Sequence, residues 1–187
     1  MLFKINSKLV ISTSRKPSQI TRRFAQFLKH YFNGVYINRG KASFSKVINQ
    51  AKQYENSLLF IITETKGNPS SINIYNLEKD HENPQSSIYI NVSLPQENNK
   101  INTLSDNIII INKSSDLDEL FSECDVIKSA EKIKENCIII RDNEKEFISA
   151  SFIDKKGEDT KFKVYIKGFK LSDKSSEWYY VKRKNIK

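Results

Sequence analysis

A chain of 187 residues with 38% hydrophobic and 28% charged residues is long enough to bury a core of its own, and its composition is that of an ordinary soluble globule. Its two cysteines, Cys124 and Cys137, exclude a disulfide framework, and no apolar run approaches the roughly 20 residues of a membrane helix. The net charge of +9 is unevenly spread: residues 1–55 hold eleven Lys or Arg against one acid, residues 56–127 four against eleven, and residues 128–187 sixteen against ten.

A basic stretch with no acid before Glu55 repels itself unless a polyanion relieves it, and nucleic acid is the usual one. A solvated basic face is the plain alternative. Residues 1–9 mix polar and apolar positions and show no signal peptide, so the expected setting is intracellular, reduced and cytoplasmic.

Residues 8–13 predict a short buried strand, and residues 14–17 a turn. Ser18 stands at the N-cap of a helix whose Ile20, Phe24, Phe27, Leu28 and Tyr31 share one face, opposite Arg22, Arg23, Gln26, Lys29 and His30. Asn33-Gly34 ends that helix. A strand over 35–38, a loop at 39–41 and a second helix with Phe44, Val47, Ile48, Ala51 and Tyr54 on one face follow. Residues 58–63 predict a central strand, 66–69 a tight turn, and 71–77 and 87–94 alternating strands. The polar run 95–106 marks a boundary. Beyond it come a strand at 108–111, helices over about 116–123 and 129–135, a strand at 137–141, and alternating segments at 146–154, 161–170 and 178–181. The expected class is α/β, in one domain built of two related halves, about 1–94 and 107–187.

Residues 12–18 (STSRKPS), followed by a helix bearing Phe24 and Phe27, resemble the opening of the Brix family. So do residues 36–40 (YINRG) and 59–65, with Lys66-Gly67-Asn68-Pro69 after them. Cys137 to Arg141, Phe147 to Phe152, Phe162 to Leu171 and Glu177-Trp178 are similar to the family's later segments. One departure stands out: the family's Gly-Pro-Arg-Phe run is here replaced by residues 157–162 (GEDTKF). The resemblance implies two α/β halves similar to anticodon-binding domains of tRNA synthetases. It also implies a ribosome-biogenesis role through ribosomal RNA, in the compact archaeal-type form, with pre-rRNA processing as the context.

The residues suggest how. Thr13, Ser14, Arg15 and Lys16 lie between a strand and a helix N-terminus, where free backbone N–H groups and a guanidinium suit a phosphate. The serines also shape the turn and cap the helix. Asn38, Arg39, Gly40 and Lys41 follow a neighbouring strand, and the C-terminal ends of parallel strands share one edge. Arg22 and Arg23 extend that track or simply face solvent. Lys163, Tyr165, Lys167 and Phe169 are expected on one strand face, and Trp178, Tyr179 and Tyr180 precede Lys182 and Arg183. Cations among aromatics suit single-stranded RNA, although aromatics on strands more often build core. Of these, Lys167, Lys182 and Arg183 complete the expected RNA contacts.

No metal-ligand spacing involves His30 or His81, and no phosphate-cradling Gly-rich motif is present. Asp116, Asp118 and Glu119 stand at a helix start, where acids favour the dipole. The expectation is a non-catalytic protein with no metal, no cofactor, no small-molecule substrate and no membrane partner. Two other readings stay open: an adaptor whose acidic middle docks basic ribosomal or assembly proteins, and a metal-dependent nuclease.

Overall fold

Where the apolar pattern is clean, it dictates the elements directly. A computed structural model of the chain describes residues 2–4, 7–78, 83–96, 108–114, 116–121, 124–126, 133–143, 147–172 and 179–180. In chain order these form β1 (Leu2–Lys4), β2 (Lys8–Thr13), α1 (Gln19–Tyr31), β3 (Val35–Tyr36), α2 (Phe44–Ala51), β4 (Ser57–Thr65), β5 (Asn68–Asn76) and β6 (Ser86–Ser93). Then come β7 (Ile109–Asn112), a 3-10 turn (Asp118–Phe121), β8 (Asp125–Val126), β9 (Cys137–Asp142), β10 (Ile148–Ile153), β11 (Asp159–Leu171) and β12 (Tyr179–Tyr180).

All the described strands join one mixed sheet in the order β3-β2-β4-β5-β6-β11-β10-β9-β7-β1-β8, with β12 added beside β11. The chain is therefore α/β, as expected. β2 pairs in parallel with β3 and β4, and β7 with β9; every other pairing is antiparallel. The run β2-β4-β5-β6 is mirrored by β7-β9-β10-β11 about the antiparallel β6–β11 seam.

α1 begins where Ser18, in extended conformation, accepts a hydrogen bond from the Thr21 amide. Its buried residues are Thr21, Phe24, Ala25, Phe27, Leu28 and Tyr31. Ile20, expected on that face, is 42% exposed. Position 21 replaces it because the Thr21 hydroxyl is anchored inside, 2.5 Å from the Glu64 carboxylate. α1 reaches across the seam. The Phe27 ring stacks on Phe162 of β11 at 3.7 Å and meets Phe152 of β10 edge-on at 5.0 Å. The fully buried Tyr31 hydroxyl points between the carbonyls of Cys137 (2.8 Å) and Ile153 (3.0 Å). Burial drives its pKa far above the ordinary phenol value, so it stays a donor.

α2 covers the other face, laying Val47, Ile48 and Ala51 on Val10, Leu59, Ile61 and Tyr75. It stops at Ala51, so Tyr54, expected on its apolar face, is 37% exposed.

The second part departs more from expectation. Of the helix expected over 116–123, the described residues form only the 3-10 turn Asp118–Phe121, and 122–123 lie outside them. There Ser114 and Asn112 side chains accept backbone N–H groups from Asp116 and Ser114, an alternative that competes with a helical start. Of the helix expected over 129–135, residues 129–132 lie outside the described residues and 133–135 are not helical. Most of the boundary segment 95–106 also lies outside them. β1 was not expected: the chain's first strand pairs with β7 and β8 at the sheet's far end.

Residues 157–162 form a turn and a bulge. The buried Asp154 carboxylate accepts the N–H groups of Lys156 (2.8 Å) and Glu158 (2.9 Å). Gly157 has φ +80°, and a Cβ there would lie 2.9 Å from the Lys134 carbonyl oxygen. The register slip against β10 then delivers Phe162 to the core.

Candidate nucleic-acid interface

Parallel pairing of β2 with β3 and β4 brings their C-terminal ends to one edge of the sheet. The loops that follow β2 and β3 are locked side by side there. The Ser12 hydroxyl donates to the Ile37 carbonyl (2.8 Å), the Ile37 amide to the Ile11 carbonyl (2.9 Å) and the Ser14 amide to the Ile62 carbonyl (2.8 Å).

Arg15 and Lys16 project from the first loop and are exposed. Lys16 adopts φ 50°, a left-handed conformation that costs a non-glycine residue about 1 kcal/mol. In the second loop, Asn38, Gly40 and Lys41 are exposed, and Gly40 has φ +51° with nothing near its missing Cβ. Arg39 is half-buried, its Nε 3.5 Å from the Ala42 carbonyl and its guanidinium 5.8 Å from the Phe44 ring centre. Burial, and then the positive charge of Arg15, lower the Arg39 pKa, while Tyr75 opposes them. The two arginines thus sense each other across the paired loops. Among the described residues neither forms an ion pair with an acid.

Other expected contacts fall elsewhere. Thr13 is fully buried, with its hydroxyl turned to the Ser14 carbonyl at 3.1 Å, so it cannot reach a ligand. The mouth of α1 is not free either. The Glu64 carboxylate accepts the Ser18 amide (2.9 Å) and the Thr21 hydroxyl, and the Ser18 hydroxyl donates to the Gly67 carbonyl (2.8 Å). A carboxylate already holds the place where a phosphate was expected. Burial alone would raise the Glu64 pKa, but hydrogen bonds from Thr21 and Ser18 and the charge of Arg22 outweigh it and leave the pKa lowered.

Arg22 is exposed beside this carboxylate. Arg23 is half-buried and donates to the Pro95 carbonyl at 2.7 Å, so it braces the end of β6 rather than facing a ligand. Lys167 lies on β11, four strand steps from β2 in the sheet. Lys182 and Arg183 lie outside the described residues, as do Trp178 and His81. Sequence reasoning missed Glu64. Its signal was the strand alternation from Leu58 through Ile62, which sets position 64 under the start of α1.

Asp118 of the acidic group accepts a hydrogen bond from the Asn112 side chain at 2.7 Å. Among the described residues no three His, Cys, Asp or Glu side chains could hold a metal ion together. Cys137 is buried, which raises its thiol pKa. An apolar pocket of about 360 Å³ lies on the α1 side of the sheet, lined by Phe24, Leu28, Phe60, Phe121 and Ile140 among others, and none of the expected site residues lines it. Among the described residues no helix is long and apolar enough to cross a membrane.

Comparison with known proteins decides the family. A "probable Brix domain-containing ribosomal biogenesis protein" of Methanococcoides burtonii is 30% identical over 141 residues, which cover 75% of this chain and 86% of that protein. The chain belongs to the Brix-domain family. A Brix relative of the same description in Archaeoglobus fulgidus is 46% identical over 66 residues, 35% of this chain, and the match spans 40% of that relative's length. The crystal structure of Mil, an archaeal Imp4-like protein, superimposes with a TM-score of 0.69 at 26% identity over 88% of this chain and 99% of that one. No family model matches the chain.

Proposed function

We propose that this chain is a ribosome-biogenesis factor that binds ribosomal RNA without cleaving it, during pre-rRNA processing and subunit assembly. The observation that carries the binding role is the convergence of Arg15 and Arg39 on one sheet edge with no acid paired to either among the described residues. Two guanidiniums that repel each other gain most from a shared polyanion, and each can grip phosphate oxygens with two parallel hydrogen bonds. Lys16, Asn38 and Lys41 surround them and are exposed. Membership in the Brix family, and the ribosomal-biogenesis names of its relatives, supply the RNA class.

The test is binding to small- and large-subunit rRNA fragments across a salt series, comparing wild type with Arg15→Ala and Arg39→Ala. Affinity should fall steeply with salt, and each substitution should weaken every fragment alike while reducing the log–log salt slope by about 1. Wild-type binding no better than non-specific, or variants that match wild type, would reject the edge as an RNA site and favour a protein ligand. Metal-dependent loss of intact RNA would instead support a nuclease.

A further inference from the structure

The face that α2 covers over β2, β4 and β5 continues across β6, β11 and β10, and no described helix lies on it. Strand registers set its side chains in rows. In the first row the Lys167 amine lies 5.1 Å from the Tyr89 ring centre and 6.0 Å from that of Phe147, so the cation sits between two rings. In the next, Tyr165 stands between Asn91 and Ser149; in the third, Lys163 stands between Ser93 and Ser151. Arg141 of β9 extends the second row beyond Ser149.

Three features separate this face from an ordinary solvated one. Tyr89 is 38% and Phe147 36% exposed, two large rings beside one cation. Among the described residues the three rows carry Lys163, Lys167 and Arg141 and no carboxylate; Asp159, at the start of β11, lies beyond them with its carboxylate on the Lys161 amide (2.7 Å). β11 also bulges between Ile166 and Gly168, which leaves Lys167 on the open face while Phe169 turns into the core.

We infer that this open face is a second RNA surface, one that takes unpaired nucleotides. Tyr89, Phe147 and Tyr165 offer ring faces for bases, and Lys163, Lys167 and Arg141 lie among them for the backbone phosphates. Rows two residues apart stand about 6.7 Å from one another, a spacing that an extended nucleotide strand can follow. A duplex, with its bases stacked inside, cannot use the rings. The inference rests on the chain being an RNA-binding factor, but its residues are separate from the basic edge.

The experiment uses the full chain with a ten-nucleotide single-stranded oligouridine and a hairpin duplex from rRNA, each titrated against Tyr89→Leu, Phe147→Leu, Tyr89→Phe and Arg15→Ala. The leucine variants keep apolar bulk at exposed positions, and their thermal unfolding should match wild type. Each should weaken oligouridine binding by about five- to a hundredfold, the range for loss of one stacked base, and leave the duplex unaffected. Tyr89→Phe keeps the ring and should bind like wild type. Unchanged oligouridine binding in both leucine variants, with duplex binding still sensitive to Arg15→Ala, overturns this inference alone and leaves the face to a protein partner. Oligouridine loss in the leucine variants with Arg15→Ala silent on the duplex sustains it and rejects the edge. Absence of binding to either RNA rejects both.

Discussion

Glu64→Gln tests the carboxylate at the mouth of α1. The wild-type carboxylate accepts two hydrogen bonds there, from the Ser18 amide at 2.9 Å and from the Thr21 hydroxyl. Glutamine keeps an acceptor of similar shape and removes the charge. A hydrogen bond to a charged group contributes about 1.5–3 kcal/mol, a neutral one about 0.5–1.5, so two bonds lose roughly 2 kcal/mol in a dry site. Glu64 is only partly buried, and solvent screening brings the expectation to about 1 kcal/mol. With a urea m-value of about 2 kcal/mol/M, the midpoint should fall by about 0.5 M. The sign of the pH dependence follows from the lowered pKa. The carboxylate's contribution is present above the unfolded value of about 4.3 and is lost as pH falls through the folded value. Urea titrations of both proteins between about pH 7 and about pH 3.5 should therefore show a gap that narrows toward the acid end. A gap that is absent at neutral pH, or that stays constant with pH, would refute the assignment of the cap to a charged Glu64.

Tyr31→Phe should lower stability by about 1–3 kcal/mol in urea titration, because the carbonyls of Cys137 and Ile153 lose a buried donor; an unchanged midpoint would mean water or a shifted strand replaces it. Gly157→Ala should cost at least about 1 kcal/mol, since φ +80° strains alanine and its Cβ would meet the Lys134 carbonyl at 2.9 Å; calorimetry checks this. Arg23→Ala should leave RNA affinity near wild type in the assay where Arg15→Ala weakens it, because the Arg23 guanidinium is held by the Pro95 carbonyl.

The first part of the fold was legible because its signals are local. Ser18 before an apolar stripe, Asn33-Gly34 after it and the run 58–63 each specify an element without help from distant residues. What the sequence hid depends on partners far along the chain. The β1 pairing with β7 and β8 needs strands more than a hundred residues away. The core face of α1 turns by one position because Glu64 anchors Thr21, a contact across 43 residues. Phe169 was expected beside Lys163, Tyr165 and Lys167 by strict alternation. The bulge at Lys167 breaks that alternation, buries Phe169 to 3% exposure and stacks it on Tyr179 at 5.2 Å. Period-2 reasoning holds only while the register holds.

Composition located the basic segment but overstated how much of it is available. Of the eleven cations in residues 1–55, several are spent on the fold. The Lys8 amine donates to the Asn33 carbonyl at 2.6 Å, Arg23 to Pro95, and Arg22 lies beside the Glu64 carboxylate. The cations that gather at the β2–β3 edge are Arg15, Lys16, Arg39 and Lys41. If these four make the phosphate contacts, the salt slope for a duplex fragment should be about −3 to −4, far from the value that ten net charges would give. A slope near −9 would mean that the whole segment lies along the RNA, and that Lys8, Arg22 and Arg23 leave their partners on binding. The slope therefore separates an RNA site fixed by the paired loops from one that depends on bulk charge.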